Sequence, residues 1–316
     1  MSRAADQPET RQQALRDFVA TELTQPVAAP VREMSEAIRQ RFGTAAQAVL
    51  FYGSCLRRPE TQLADSLLDF YVLVDDYRQS YEKAWLAWAN QLLPPNVFYQ
   101  ELRYGEVMLR AKYAVISLRQ FHRGTSPAAP NVALWARFCQ PARLTWSRDR
   151  AAANAVSAAC SQAVLTMLAA HPDGAASSLQ RQRDPQAILD FWTAGFQATY
   201  RAELRPENSG RAALIVASDS ERYLAITPLA CAVLADQPQQ QAISSSWRRS
   251  RLLGKLFNVA RLVKGAFTFE GGLDYVLWKI ARHSGVTIAV TDWQRRHPLL
   301  AAPRLAWRLY RRGAFR

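Results

Sequence analysis

The eight residues Leu67–Val74, Leu-Leu-Asp-Phe-Tyr-Val-Leu-Val, constrain the fold more than any other stretch of the chain. A run of this length and composition reads as a buried strand, closed by Asp75–Asp76. Its one carboxylate, Asp69, is costly to bury unless the fold uses it. A second apolar run of strand length, Ala48–Tyr52, breaks at Gly53–Ser54. Before it, Leu15, Phe18, Val19 and Leu23 predict a helix ending at Pro26 and Pro30, and Met34, Ile38 and Phe42 predict another that stops at Gly43. After it, Tyr81, Trp85, Trp88 and Leu92 repeat at helical spacing up to Pro94–Pro95, and Val97–Leu102, Glu106–Leu109 and Tyr113–Ser117 read as further strands.

Helix, apolar strand, Gly-Ser, then a buried strand bearing Asp resembles the core of a nucleotidyltransferase. Glycine lets the backbone approach a triphosphate, and a serine hydroxyl with turn N–H groups can bond its oxygens. A carboxylate on the neighbouring strand can hold Mg²⁺. Many such enzymes carry a second carboxylate two residues after the first, a position that Tyr71 fills here. Asp75 shares the face of Asp69 but lies about 20 Å further along a straight strand, too far for a shared metal. Asp69 therefore acts either with Glu101 or Glu106 or as a single strong ligand, and Asp69 with Glu101 is the metal pair expected here. Asp75 and Asp76 equally suit a helix cap.

The chain has 316 residues, 49% apolar and 10% aromatic, enough for a large core or two packed domains. Ala-rich helical signals run from Ala151 to about Leu234, and a polar linker, Gln237–Ser246, precedes a basic end. The expected plan is an α/β nucleotidyltransferase-fold domain over 1–148, a mostly helical domain over 149–246, and a basic region over 247–316 with a lipid-facing amphipathic helix. From Trp247 onward fifteen Lys and Arg face three acids, so +12 of the formal +14 sits in the last 70 residues. Such an end favours an anionic partner. The four cysteines are widely spaced, which predicts reduced thiols and neither disulfide nor zinc. No uninterrupted apolar run reaches the roughly 18 residues of a membrane span, and the N-terminus, with Asp6 and Glu9, reads as neither signal nor transit peptide. Membrane contact is thus expected to be peripheral.

Longer motifs narrow the reading. Phe51-Tyr52-Gly53-Ser54, Leu68-Asp69-Phe70 running to Val74-Asp75-Asp76, Lys112-Tyr113-Ala114-Val115-Ile116-Ser117, Trp135 followed by Arg143-Leu144, and Lys264-Gly265-Ala266-Phe267-Thr268 come in that order. In order and spacing they resemble the mitochondrial-type CDP-diacylglycerol synthases, the phosphatidate cytidylyltransferases of the translocator-maintenance family, and their bacterial relatives. Ala142 stands where the family has a glycine before its Arg-Leu, and Ala114 replaces the glycine of its Lys-Tyr-Gly-Val. The resemblance implies CTP and phosphatidic acid as substrates with Mg²⁺, giving CDP-diacylglycerol and pyrophosphate. It implies that Tyr52, Gly53, Ser54, Lys112 and Arg143 bind the nucleotide and that Asp69 and Lys112 are catalytic. By itself Lys112 reads as a strand-end lysine reaching solvent.

At the basic end, Leu273–His283 reads as a helix flanked by Lys264, Lys279 and Arg282, which could meet a lipid headgroup. Leu305, Trp307, Leu309, Tyr310 and Phe315 alternate with Arg304, Arg308, Arg311, Arg312 and Arg316. That pattern suits an interfacial helix on an anionic membrane, with a solvated tail as the plainer reading. Phe191, Phe196 and Tyr200 read as core, Arg201 and Glu203 as a surface pair, and His283 as structural. No RNA-recognition motif stands out, which disfavours nucleic acid as the partner. A nucleotidyltransferase with an RNA or protein acceptor, and an inactive membrane adaptor of the same fold, are the alternatives. The Arg- and Ala-rich composition hints at a bacterial origin, hence the cytoplasmic face of an inner membrane.

Overall fold

Period-two alternation sorts the strand side chains onto two faces, and each face is buried against helices. The computed structural model describes residues 6–64, 66–171, 184–203, 210–236, 264 and 272–312. Five strands form one mixed sheet in the order β3-β4-β2-β1-β5, with β1 Ala46–Tyr52, β2 Leu67–Val74, β3 Asn96–Tyr104, β4 Val107–Ser117 and β5 Ala142–Ser147. The β2/β4 pair is parallel and the other three pairs are antiparallel. The two short runs expected around 106–117 are one continuous strand.

On one face, Val49, Phe51, Phe70, Val72, Tyr113 and Val115 pack with Met34 and Ile38 of α2 (Ala29–Gln40). On the other, Leu50, Tyr71, Leu73, Ala114 and Ile116 share a continuous core with the helical half. The helices before this half's long strut are α3 (Tyr77–Ser80), α4 (Ala84–Leu92), α5 (Leu118–Thr125) and α6 (Trp135–Phe138). Next come α7 (Arg150–Ala169), α8 (Pro185–Glu203), α9 (Gly210–Ser218) and α10 (Ser220–Ala235). The first helix, α1 (Asp6–Leu23), packs on α7 and α10, so its Leu15, Val19 and Leu23 join the helical layer. Arg222 of α10 ties this layer together: its Nε donates to Glu22 of α1 at 2.6 Å and its guanidinium donates to the Cys139 carbonyl at 3.0 Å.

Helix α7 is long and apolar enough by composition to cross a membrane, yet 67% of its apolar window is buried inside the protein. Asp149 caps it, accepting from the Ala152 N–H at 2.8 Å, and Val156, Ala159, Cys160, Ala163 and Val164 lie in the core. It is the central strut of the helical layer. Asp76 likewise caps α3, accepting from the Arg78 N–H at 3.0 Å, which matches the capping reading.

The aromatic stripe of α4 faces outward, with Trp85, Trp88 and Leu92 exposed. Asn90 sets that orientation. Buried completely, it donates to the Val115 carbonyl at 3.0 Å and to the Tyr81 hydroxyl at 2.8 Å, and accepts from the Asn96 N–H at 2.7 Å. Turned the other way, the helix would leave a buried amide and its partners unpaired, at a cost of about 1–3 kcal/mol per group.

The basic end contributes α11 (Gly272–Ser284), α12 (Asp292–Arg296) and α13 (Pro298–Arg311). Helix α11 lies along β3, with Tyr275 against Tyr99 and Trp278 between Arg110 and Arg282. Thr291 and Gln294 form a capping box on α12. In α13, Ala301, Leu305 and Leu309 are buried, while Leu300, Trp307 and Tyr310 are exposed. The leucine pair expected to meet lipid is therefore spent on the protein's own packing, and Trp307 and Tyr310 are what α13 presents outward. The linker Gln237–Ser246, the segment Gly265–Thr268, Phe315, Arg316 and the side chains of Glu203 and His283 lie outside the described residues.

Candidate functional site

The sheet register brings the chemistry together. Tyr52, the last residue of β1, pairs with Asp69 on β2, and Asp69 pairs with Lys112 on β4. Gly53 then turns the chain with φ of 90°, a conformation that side chains other than glycine rarely adopt. A Cβ at Gly53 would sit 3.5 Å from Asp69 Oδ2, so the bare backbone runs directly past the carboxylate. Ser54 is exposed at the start of the short 3₁₀ turn that follows.

Lys112 Nζ stands 3.1 Å from Asp69 Oδ1. Beyond this ion pair, that buried oxygen has no hydrogen bond among the described residues. An acceptor in this state fits a cation supplied from outside. Mg²⁺ suits it, since this ion is commonly held by one or two carboxylates, with phosphate oxygens and water completing the shell. Beneath the turn, burial first and the Asp69 charge second push the Cys55 thiol up.

A cavity of about 310 Å³ opens over this edge, lined by Tyr52, Gly53, Ser54, Asp69 and Lys112. Its remaining wall contains residues that the sequence did not single out for chemistry: Arg57, Arg137 and Arg211, with Tyr200 and Ile215. Among the described residues the lining holds four cationic side chains and one carboxylate, a set that suits a polyphosphate. Arg57 follows the Gly-Ser turn and pairs with Asp219 at the α9–α10 junction, its Nε 3.0 Å from Oδ1. That pair bridges the sheet and the helical layer beside the cavity. Arg211 comes from α9, and Tyr200, expected as core, is half-buried at the cavity wall.

Other expected residues lie elsewhere. Glu101 is on the same sheet face as Asp69 but two strands away, a lateral separation of roughly 10 Å. It accepts from the Tyr99 hydroxyl at 2.8 Å and sits 3.3 Å from Arg110, so it does not join Asp69 as a metal ligand; the register is the reason. Glu106 is exposed beside Gly105 in the β3–β4 turn, with Arg103 3.5 Å away. Arg143 pairs with Phe51 and donates to Gln25 Oε1 at 2.5 Å, lining an adjoining depression with Glu22, Asp219 and Arg222 instead of the Asp69 cavity. Burial lowers its pKa from the ordinary arginine value. Lys264 donates to the carbonyls of Leu93 and Pro95, the latter at 2.7 Å, and so holds the α4–β3 connection. Lys279, Arg282, Trp307, Arg311 and Arg312 are exposed on α11 and at α13, where Arg308 donates to the Ala289 carbonyl and Arg312 to that of Thr287.

No protein-family model matches the sequence, and no curated protein matches it at significance.

Proposed function

We propose that this protein is a Mg²⁺-dependent nucleotidyltransferase that transfers CMP from CTP to phosphatidic acid, giving CDP-diacylglycerol and pyrophosphate at a membrane surface. The observation that carries the transferase reading is the cavity in which Gly53, Asp69 and Lys112 meet three arginines. The lipid acceptor rests on the family motifs in the sequence, supported by the basic, aromatic surface of the last helices.

In this reading the backbone at Gly53–Ser54 lies along the triphosphate, with no Cβ at Gly53 to intrude. Asp69 would hold the ion, and Mg²⁺, when bound, would supply neutralisation of the phosphate charge. Lys112, Arg57, Arg137 and Arg211 take up the negative charge that grows as pyrophosphate departs. A phosphate oxygen of the lipid forms the new bond to the α-phosphorus, and the bond from that phosphorus to the β-phosphate oxygen breaks. A phosphate monoester is already nucleophilic near neutral pH, so the site needs no dedicated base, and positioning carries the catalysis. On the membrane side, Trp293, Leu300, Arg304 and Arg308 line a groove of about 370 Å³ between α12 and α13, a mixture that suits an interfacial contact with anionic lipid.

The test incubates the full chain with labelled CTP, Mg²⁺ and liposomes containing phosphatidic acid. Label should enter the lipid phase together with release of pyrophosphate. Label transferred to RNA or protein instead would move the acceptor assignment, and no transfer from any nucleotide would overturn the reading.

A further inference from the structure

Pro141 lines the cavity over Asp69 and also a second depression of about 440 Å³. Between the two stands an ion pair. Arg57 faces the Asp69 cavity, Asp219 faces the depression, and Arg57 Nε donates to Asp219 Oδ1 at 3.0 Å. A carboxylate has about four acceptor positions, so Asp219 keeps capacity beyond Arg57. Arg143 enters the depression from β5, where it pairs with Phe51, one residue before Tyr52 of the Asp69 cavity. Its guanidinium is held by donation to the Gln25 side chain at 2.5 Å and to the Ala142 carbonyl at 2.9 Å. Glu22 of α1 and Ser218 at the end of α9 line the depression as well. Asp219 and Arg143 thus put an acceptor and a donor on one surface next to the phosphate site.

We propose that this depression is the base subsite of the nucleotide site, in which Asp219 accepts from the exocyclic amine of cytosine and Arg143 donates to the ring's acceptors. The inference rests on the transferase reading and deepens it, because it gives the choice of nucleotide a structural cause. A nucleotide whose triphosphate lies along Gly53–Ser54 crosses the Arg57–Asp219 pair, with its phosphates on the arginine side and its base on the carboxylate side. The charges divide in the sense each part needs: cations for the polyphosphate, an anion for the amine. Uracil carries a carbonyl where cytosine carries the amine, and so sets an acceptor against the half-buried Asp219. A site built to bond one polar group rejects the isostere that leaves it unpaired.

Calorimetry on the full chain with Mg²⁺ compares CTP, UTP and inorganic tripolyphosphate, which lacks the base. CTP should bind about ten- to a hundredfold more tightly than UTP, the scale of one hydrogen bond to a charged group. Arg143→Ala should weaken CTP by about tenfold and leave tripolyphosphate within about twofold. Ser218→Trp, at an exposed position, fills the depression and should act in the same way while leaving both charges in place. Asp219→Asn also loosens Arg57, a loss common to all three ligands, so its reading is the ratio: the preference for CTP over UTP should disappear. Equal affinity of the parent for CTP and UTP overturns the base subsite. So does a Ser218→Trp variant that leaves CTP binding unchanged or loses tripolyphosphate to the same extent. In either case, tripolyphosphate binding that Asp69→Asn abolishes would keep the phosphate site standing. A CTP preference that these variants remove, without CMP transfer to lipid, sustains the subsite and sinks the acceptor assignment instead.

Discussion

The Asp69 edge and the basic end place their charges in opposite ways. At the edge, strand register sets every contact: Tyr52, Asp69 and Lys112 are direct neighbours across three strands, and Gly53 passes within contact of the carboxylate. At the basic end, Lys279, Arg282, Arg304 and Arg311 stand exposed on helices whose apolar sides are largely taken up by the protein. A lattice of strands gives each charge one position and so one role. Helix surfaces give a field, to which each charge adds a similar small amount. Single substitutions should therefore be decisive at the edge and mild at the end.

The largest expected effect is that of Asp69→Asn, which keeps the shape and removes the charge. CMP transfer should fall by about 10²–10³-fold, the usual scale for losing one element of transition-state charge stabilisation, with the melting curve little changed. Full activity would remove Asp69 from the site. Next, neutralising Lys279, Arg282 and Arg304 together should lower binding to anionic vesicles about 100-fold, at about 1 kcal/mol for each charge. Each single change should cost no more than about tenfold. A single residue carrying the whole loss in vesicle sedimentation would break the contrast between field and lattice.

A smaller effect belongs to Gly53→Ala. Forcing a Cβ into a backbone of positive φ should destabilise the protein by about 1–2 kcal/mol, read as a lowered midpoint in urea. A nucleotide affinity that drops further than stability alone explains would sharpen the role of the bare backbone. The smallest effect concerns Cys55, which burial and then the Asp69 carboxylate push up. Removing that negative charge in Asp69→Asn relieves the second cause, so the thiol should ionise at lower pH, and its labelling rate should rise earlier in a pH series. Cys139 is the internal control: burial pushes it up to about 12, and it should stay unreactive in both proteins.

Strands β1 and β2 were legible because each is a short apolar run ended by polar or glycine residues, and β2 needed no correction of its bounds. Strand β5 was not, since Arg143, Leu144, Thr145 and Trp146 are half-buried at the sheet edge and show no apolar run. Helix α4 was legible as a helix, but its orientation was not: its aromatic stripe points outward while Asn90, on the inner side, bonds Tyr81, Asn96 and the Val115 carbonyl of β4. The site divided in the same way. Gly53, Ser54 and Asp69 announce themselves locally, the first two by a turn and the third by a charge inside an apolar strand. Glu101 is a carboxylate on a following strand, which the sequence alone cannot place, and the register sets it beside Arg110.

Local order along the chain was thus sufficient to determine the strand, turn and carboxylate at the heart of the cavity, because each depends on neighbours a few residues away. Only the tertiary structure decided which cations surround them. Arg57, Arg137 and Arg211 reach the cavity by three separate routes, a salt bridge to Asp219, a seat on Tyr71, and the packing of α9 over the sheet. Surface arginines are common in this chain, and nothing in their local sequence distinguishes those that folding turns inward. The meaning of Tyr71 was decided in the same way. In sequence it is a missing carboxylate; in the fold its hydroxyl holds a guanidinium, because packing brings α6 beneath β2.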